Sequence, residues 1–317
     1  MRIVVASPVP QAVADRARSE FDAVLSQERE LDAEALVAAL RSGSARGVLV
    51  SSRQKLDAAT IAAIPETVKI IATCSVGFDH IDHEAARARG IVVTNTPDVL
   101  TDATADLAMM LLLCAARRAR EYAVVMDAGW RKRFALNEML GVQPCGKNLG
   151  IIGMGRIGRA VASRARAFGM HILYHNRHRL PDDEAIGARY FDTLEEMLQQ
   201  CAFVSLHMPS AGSPVMTRER LELLPRGAIL VNTARGDLID EEALLAALAT
   251  GQVGAAGLDV FRGEPAFDLR FKDLPNVFLT PHMGSATIET RNAMGWRALD
   301  NLARFMEGKR PPDAINY

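Results

Sequence analysis

Features that would indicate a nucleic-acid partner, a membrane span or an oxidising compartment are missing from this sequence. The formal net charge over 317 residues is −1, which gives no sign of a polyanionic partner or of an acidic membrane surface. The longest apolar run, Leu107–Ala116, is shorter than the roughly 20 residues of a membrane-spanning helix. None of the four cysteines forms a Cys-x-x-Cys pair, and no secretory apolar segment opens the chain. We therefore expect a cytoplasmic protein with reduced thiols.

The sequence does contain two stretches in which short apolar strands alternate with helical patterns. With 49% hydrophobic and 24% charged residues, the chain has enough apolar material for two cores, and its length favours two domains. Alternation of this kind is typical of parallel sheets flanked by helices. In the first stretch the predicted strands are Ile3–Ala6, Gly47–Val50, Ile70–Thr73 and Ile91–Thr94, with a helix at Ala33–Arg41. In the second they are Leu149–Gly153, His171–His175, Phe203–His207, Ile229–Thr233, Gly254–Val260 and Val277–Thr280.

Helical patterns connect these strands, and one long segment between the stretches follows no pattern. The predicted helices are Thr101–Arg118, Arg156–Phe168, Thr193–Gln200, Thr217–Leu223, Glu241–Thr250 and Ala286–Glu307. Residues 119–148 contain Gly129, Trp130, Gly141 and Pro144 and have no sustained period. A long irregular segment inside an α/β chain is usually functional or an interface arm.

A glycine pattern marks the beginning of the second stretch. The predicted strand Leu149–Gly153 runs into Gly-x-Gly-x-x-Gly at residues 153–158, and a helical pattern follows at once. In that context Gly153 permits the tight turn, Gly155 lets the backbone approach a pyrophosphate at the positive end of the helix, and Gly158 allows close packing on the strand. The sequence therefore predicts a dinucleotide site.

The end of the next strand distinguishes the two nicotinamide dinucleotides. An NAD site usually has an acidic residue there, which accepts from the ribose 2′-hydroxyl. Here Asn176 stands at that place, followed by Arg177 and Arg179. Guanidinium groups bind a 2′-phosphate and a carboxylate would repel it, so we predict NADP(H), with NAD(H) left open. The other interpretation is that these arginines lie in an ordinary solvated loop.

Three residues of catalytic type follow predicted strands of the second stretch. Arg235, Glu264 and His282 each have an ordinary explanation by themselves: a surface arginine, a turn glutamate before Pro265, a structural histidine. Together they lie where the carboxyl ends of parallel strands face a ligand. Reduction of a 2-oxo acid needs a cation for the carboxylate and an acid that titrates near neutrality, and a neighbouring carboxylate favours the charged form of histidine.

Taken together, these motifs resemble the D-isomer-specific 2-hydroxyacid dehydrogenase family over essentially the full chain. The matching segments are residues 153–158, 232–237, 257–265 and 281–286. The resemblance implies an α/β fold in which a Rossmann-type, doubly wound cofactor domain (99–285) is inserted in a smaller flavodoxin-like substrate domain (1–98 and 286–317). It also implies a homodimer, with residues 119–148 as the dimerisation arm.

The resemblance further assigns roles to residues. Arg235 would bind the substrate carboxylate, His282 would be the general acid and base, and Glu264 would orient and charge His282. The substrate carboxylate would also meet the backbone N–H groups of Val76 and Gly77. The implied cofactor-binding residues are Thr104, Gly153, Gly155, Arg156, Ile157, Gly158, Asn176, Arg177, His178, Arg179, His207, Met208, Pro209, Thr233, Ala234, Asp259, His282, Gly284 and Ser285, with Asp259 at the nicotinamide carboxamide.

Within the family the residues 75–80, 97–102 and 176–177 look most like NADPH-dependent glyoxylate/hydroxypyruvate reductases. A larger sugar-derived, branched or aromatic 2-oxo acid is an alternative substrate. A binding protein that senses dinucleotides, as some related corepressors do, is a second alternative, which the intact Arg235, Glu264 and His282 disfavour. A metal site at Asp79, His80, Asp82 and His83 is a third possibility, but their spacing fits a capped helix start and the family needs no metal. The sequence assigns no role to His207.

Overall fold

The computed structural model describes residues 2–181 and 186–317, and two parallel sheets organise them. Contacts between Cα atoms divide the chain into two units, Met1–Leu100 with Ser285–Tyr317, and Thr101–Gly284. The first unit is discontinuous in sequence, since its last segment returns after the whole of the second unit. The α/β class predicted from the alternating pattern is confirmed.

The first unit contains a five-stranded parallel sheet in the order β2-β1-β3-β4-β5. Val and Ile dominate strands that are buried on both faces, as helix-covered parallel strands require. Aspartates at the N-caps of α2, α3 and α4 each accept from the N–H three residues on, which fixes where these helices begin. The elements are β1 Arg2–Val5, α1 Gln11–Glu20, β2 Asp22–Leu25, α2 Ala33–Ser42, β3 Gly47–Ser51, α3 Ala58–Ala63, β4 Ile70–Cys74, α4 His83–Ala88, β5 Val92–Thr94 and, at the far end of the chain, α12 Ile288–Met306.

The second unit contains a seven-stranded parallel sheet in the order β12-β11-β10-β9-β6-β7-β8. The chain leaves β6 toward β7 and later returns to its other side at β9, so the strand order reverses between β6 and β9. Ligands bind at such a reversal, outside the carboxyl ends of the strands. The elements are α5 Thr101–Ala116, α6 Ala119–Asp127, β6 Asn148–Ile152, α7 Arg156–Ala167, β7 His171–His175, β8 Ala188–Tyr190, α8 Leu194–Leu198, β9 Phe203–Leu206, α9 Arg218–Glu222, β10 Ala228–Asn232, α10 Glu241–Thr250, β11 Val253–Leu258, α11 Arg270–Asp273 and β12 Val277–Leu279.

The apolar helix α5 lies in the core of this second unit. It packs on α7 and on β11, where a Cβ at Gly257 would come within 2.8 Å of the Leu111 Cβ. Only glycine lets the helix approach the strand this closely. Within the described residues, no helix has the length and apolarity that crossing a membrane requires.

The prediction for residues 119–148 is wrong in its first third, since Ala119–Asp127 forms α6. None of the α6 residues is buried, and Val124 and Met126 stay largely exposed. The helix is amphipathic although its apolar side is not buried, and nine residues are too few for this period to stand out beside the irregular segment that follows. Gly129, at φ 87°, follows the helix, and the segment beyond it is irregular as predicted.

Candidate active site

The glycine turn after β6 is built for the close approach of a ligand. Gly153 adopts φ 96°, and a Cβ there would lie 2.6 Å from the carbonyl oxygen of His207 at the end of β9. A Cβ at Gly158 would lie 2.3 Å from the Gly153 carbonyl oxygen. At Gly155, the N-cap of α7, a Cβ would meet nothing within 4 Å. The turn therefore places open space beside the positive end of a twelve-residue helix, which fits a pyrophosphate.

Asn176, just after β7, is tied to the same turn. Its Oδ1 accepts from the Met154 N–H at 2.7 Å. One lone pair of the amide oxygen is engaged, and the Nδ2 group, which only donates, remains available to a ligand. The loop after Asn176 is fastened by Tyr174, a fully buried side chain whose hydroxyl accepts from the Leu180 N–H at 2.9 Å.

His207 lies beneath the turn. The Nε2 of its ring is 2.8 Å from the Ser205 hydroxyl, and its backbone N–H donates to the Ile152 carbonyl. Burial lowers the pKa of His207 to about 4, so its ring is neutral at physiological pH. The observed contacts are internal to the β6–β9 junction, which gives the side chain a supporting role that the sequence did not reveal.

The segment after β10 contains Arg235, and the side chain of Asn232 holds the backbone of this segment in place. The Asn232 carboxamide accepts from the Ala234 N–H at 3.0 Å and donates to the Arg235 carbonyl at 2.8 Å. Beside it, the Oγ1 of Thr233 is buried and has no hydrogen-bond partner among the described residues. A buried hydroxyl without a partner is costly unless a ligand satisfies it. This orphaned hydroxyl and the open space at Gly155 both fit a dinucleotide.

His282 and Glu264 form the charged pair of this edge. The Nδ1 of His282 lies 2.7 Å from Glu264 Oε2, and Glu264 Oε1 accepts from the Phe261 N–H at 2.7 Å. Burial would raise the pKa of Glu264. The hydrogen bonds from His282 and Phe261, with the positive charge of Arg235, outweigh burial and hold that pKa below its ordinary value. Glu264 therefore stays ionised, and the Nε2 of His282 faces away from its partner.

Asp259, at the end of β11, braces the loop that carries His282. Its carboxylate accepts from Thr280 Oγ1 at 2.6 Å, from the Met283 N–H at 2.7 Å and from the Gly284 N–H at 2.9 Å. Its backbone carbonyl accepts from the His282 N–H at 2.8 Å. Burial raises the pKa of Asp259 even against these donors. These hydrogen bonds to Asp259 hold the backbone of His282 in its left-handed conformation, at φ 57°.

In the first unit, Val76 and Gly77 lie in the loop between β4 and α4. In the part of the chain that the structure describes, the N–H groups of these two residues donate to no protein acceptor. Asp82 caps α4 through the Ala85 N–H at 2.9 Å, as the spacing predicted. No cluster of three His, Cys, Asp or Glu side chains suited to a metal occurs in residues 2–181 and 186–317.

Thr104, near the start of α5, reaches the same loop that Asp259 braces. Its hydroxyl donates to the Gly284 carbonyl at 3.2 Å. With the glycine turn, Arg235 and His282, it lies within the second unit, where the carboxyl ends of β6, β10, β11 and β12 share one edge of the sheet. Sequence reasoning missed the supporting roles of Asn232 and Tyr174. A polar residue that ends a buried strand, and a tyrosine inside one, were the available signals.

Comparison with known proteins identifies the group to which this architecture belongs. Residues 109–284 match the NAD binding domain of the D-isomer specific 2-hydroxyacid dehydrogenases. The chain belongs to this family. It is therefore an NAD(P)-dependent oxidoreductase of 2-hydroxy acids, and the resemblance inferred from its motifs is confirmed.

Individual relatives match over nearly their whole length. The glyoxylate reductase of Thermococcus kodakarensis is 41% identical over 322 aligned positions, covering 99% of this chain and 96% of the relative. The glycerate dehydrogenase of Hyphomicrobium methylovorum is 40% identical, covering 97% and 96%. The solved NADPH-dependent glyoxylate/hydroxypyruvate reductase of Sinorhizobium meliloti superimposes with a TM-score of 0.87 at 35% identity, covering 99% of this chain and 97% of the other.

Proposed function

We propose that this dehydrogenase reduces glyoxylate or hydroxypyruvate to the corresponding 2-hydroxy acid, of D configuration where the product is chiral, with NADPH as the reductant. The observation that carries the proposal is the 2.7 Å contact between His282 and an ionised Glu264, with Arg235 close enough to depress the same carboxyl pKa. A charged imidazole and a guanidinium are what a 2-oxo acid needs, one for its carbonyl oxygen and one for its carboxylate. Relatives named for these two substrates support the choice.

In the proposed reaction a bound nicotinamide supplies the hydride to the carbonyl carbon. The Nε2 of His282 donates the proton to the carbonyl oxygen, while Glu264 keeps the ring oriented through Nδ1 and balances its charge. Arg235 binds the carboxylate and fixes the keto group relative to His282. In the first unit, the N–H groups of Val76 and Gly77 are donors suited to a carboxylate. The net change is 2-oxo acid, NADPH and H⁺ to D-2-hydroxy acid and NADP⁺.

We propose that the residues predicted to bind the cofactor divide by their part of the dinucleotide. The turn 153–158 takes the pyrophosphate, with Met208 and Pro209 bordering it after β9. Thr233 offers its unpartnered hydroxyl, and Ala234 and Thr104 flank the nicotinamide end. Asp259, Gly284 and Ser285 lie beside His282 and form the remainder of that end.

The preference for NADPH rests on Asn176. Its oxygen is already committed to Met154, so it presents a neutral donor to the adenosine ribose, where an acidic residue would present an acceptor. A neutral donor accommodates a 2′-phosphate, which a carboxylate at this position would repel. Arg177, His178 and Arg179 follow in sequence and supply positive charge for the same group.

We further propose that the chain is a homodimer and that residues 119–148 are its dimerisation arm. This segment exposes Val124, Met126, Trp130, Leu136 and Leu140, each more than half accessible. Large exposed apolar side chains that concentrate in one segment are typical of an interface between subunits. The cytoplasmic location stays a prediction from the sequence.

A direct assay tests the reaction. NADPH oxidation would be followed at 340 nm with glyoxylate, hydroxypyruvate, pyruvate, 2-oxoisocaproate, phenylpyruvate and 2-ketogluconate, and each would be repeated with NADH. We expect kcat/KM to be highest for glyoxylate or hydroxypyruvate with NADPH. Preference for a branched, aromatic or sugar-derived acid would replace the substrate assignment, and preference for NADH would overturn the role of Asn176. No reduction of any 2-oxo acid would overturn the proposed function.

A further inference from the structure

A chain of buried side-chain hydroxyls runs beneath the loop that contains Val76 and Gly77. The Nε2 of His80 lies 3.0 Å from Thr73 Oγ1, which lies 2.8 Å from Ser75 Oγ. The Ser75 hydroxyl in turn donates to the Gly77 carbonyl at 2.7 Å. Thr73 is fully buried and Ser75 is 6% exposed, so water does not replace these contacts.

The Gly77 carbonyl, at the end of this series of hydrogen bonds, fixes the direction of every proton in it. A carbonyl oxygen can only accept, so the single hydroxyl proton of Ser75 points at Gly77. Thr73 must then donate to Ser75, and His80 must donate to Thr73. The proton of His80 therefore lies on Nε2, whichever state its other ring nitrogen is in.

Gly77 is held on both sides by side chains. The preceding peptide plane is fixed by Asn95, whose Nδ2 donates to the Val76 carbonyl at 2.8 Å. The following plane is fixed by Ser75 through the Gly77 carbonyl. Glycine has the widest backbone freedom of any residue, so these two contacts decide where its N–H points. Since the Val76 carbonyl and the Gly77 N–H belong to one peptide plane, Asn95 aims that N–H directly.

The plane before Val76 is fixed without any side chain. The Ser75 carbonyl accepts from the Thr96 N–H at 2.8 Å, which orients the Val76 N–H. Three successive carbonyls of this loop are therefore engaged, while the Val76 and Gly77 N–H groups keep no protein acceptor among the described residues. Such an arrangement prepares donors for an anion before it arrives.

We infer that Asn95 and Ser75 are positioning residues for substrate, which hold Gly77 so that its N–H binds the 2-oxo acid carboxylate, and that Thr73 and His80 hold Ser75. This inference rests on the proposed function for the identity of the anion. It assigns the chain of His80, Thr73 and Ser75 to affinity for the acid and not to the proton transfer at His282.

Steady-state kinetics of Ser75→Ala and Asn95→Leu test the inference. Each change removes one restraint on Gly77, so we expect KM for glyoxylate or hydroxypyruvate to rise about tenfold, the effect of roughly one hydrogen bond to a charged group. The KM for NADPH should stay the same and kcat should fall much less than KM rises. Thr73→Val should resemble Ser75→Ala, whereas Thr73→Ser, which keeps the hydroxyl, should restore most of the affinity.

Ser7→Ala is the matched control for the loss of a buried hydroxyl. Ser7 is 3% exposed and donates to Gln54 at 2.8 Å in the same unit, and among the described residues neither side chain hydrogen-bonds to residues 73–80. It should lower the melting temperature without changing the KM for the acid. Values of KM for the acid within twofold of wild type in both Ser75→Ala and Asn95→Leu would overturn the inference, as would an equal rise in the KM for NADPH.

Nuclear magnetic resonance separates this inference from the proposed function, because it needs no substrate. The ¹⁵N order parameter of Gly77 should be that of rigid backbone in the wild type, about 0.85, and should fall below about 0.6 in Ser75→Ala and Asn95→Leu. The imidazole of His80 should carry a proton on Nε2. If the wild type showed these signatures but reduced no 2-oxo acid, the proposed substrate would be wrong and the positioning of Gly77 by Ser75 and Asn95 would stand. A bare Nε2, or a rigid Gly77 in both variants, would refute the positioning even in an active enzyme.

Discussion

The imidazole of His282 donates from Nδ1 to Glu264 at 2.7 Å, on a loop whose neighbouring N–H groups are bound by the Asp259 carboxylate. Glu264 thus orients the imidazole ring, and Asp259 fixes the backbone of the loop that contains His282. The first is held ionised by its hydrogen bonds, and the second is enclosed by protein donors.

Replacing the proposed proton donor tests the assignment of His282. We expect His282→Ala to lower kcat by about 10²–10⁴-fold, the usual contribution of general acid catalysis. NADPH binding, followed by its fluorescence, should change little. His171→Ala is the control, because His171 is exposed at the amino end of β7, away from the carboxyl edge of the sheet where His282 lies. Near-wild-type turnover of His282→Ala would rule out its role.

The Glu264 pair should produce a pH dependence with a definite sign. The pKa of Glu264 in the folded protein lies below its ordinary value of 4.5, so the pair adds stability above pH 4.5 and loses it as the pH falls through the lowered pKa. Glu264→Gln keeps a hydrogen-bonding shape but no charge. In urea titrations Glu264→Gln should therefore lose less stability than wild type as the pH falls below 4.5, and kcat for reduction should fall because the ring loses its charged partner at Nδ1. An equal loss of stability in acid for both proteins would contradict the lowered pKa of Glu264.

Burial of His207 should be visible in folding stability. Its pKa falls from 6.5 to about 4 on folding, so the unfolded chain binds the proton more readily. Stability should therefore decline as the pH falls from about 6.5 to about 4 and level off below that. His207→Gln should show a smaller loss between pH 7 and pH 4.5 in urea titrations. An equal loss in both proteins would mean that His207 is not buried as a neutral ring.

Substitutions at Asn176 and Arg177 should change the preference of the enzyme between NADPH and NADH. Asn176→Asp places a negative charge beside the 2′-position and keeps an acceptor for Met154, so kcat/KM with NADPH should fall at least tenfold while that with NADH rises. Arg177→Ala should lower only the NADPH value. Lys147→Ala, away from the carboxyl edge at the start of β6, is the control. An unchanged ratio of the two cofactors in Asn176→Asp would contradict the assignment.

A charge on the arm should separate the subunits. Leu136 is 100% exposed, and Leu136→Asp in an interface would bury a carboxylate without a partner, at a cost of several kcal/mol. Light scattering after size-exclusion chromatography should show a dimer for wild type and a monomer for the variant. Leu269→Asp, at a residue that is 63% exposed outside the arm, should remain dimeric. A wild-type monomer would contradict the proposed assembly.

Most strands of both sheets were predictable because each is a short apolar run that parallel packing buries on both faces. The edge strands Asp22–Leu25 and Ala188–Tyr190 were not: two of the four residues of the first are exposed and one is an aspartate, and only one of the three residues of the second is buried. The glycine turn, Arg235, Glu264 and His282 were predictable from residue type and position after a strand. The support beneath them was not: the contacts of Asn95, Thr73 and His80 join residues that no local pattern connects.

The hydrogen bond between Asn176 and the Met154 N–H does not depend on the charge of residue 176. Aspartate, which has nearly the same shape, could accept that N–H with one oxygen and leave the other for a ribose hydroxyl. The turn and the loop would keep their backbone in both cases. In the proposed site a single exchange at residue 176 therefore changes the charge offered to the ribose while the glycine turn keeps the hydrogen bond that holds it.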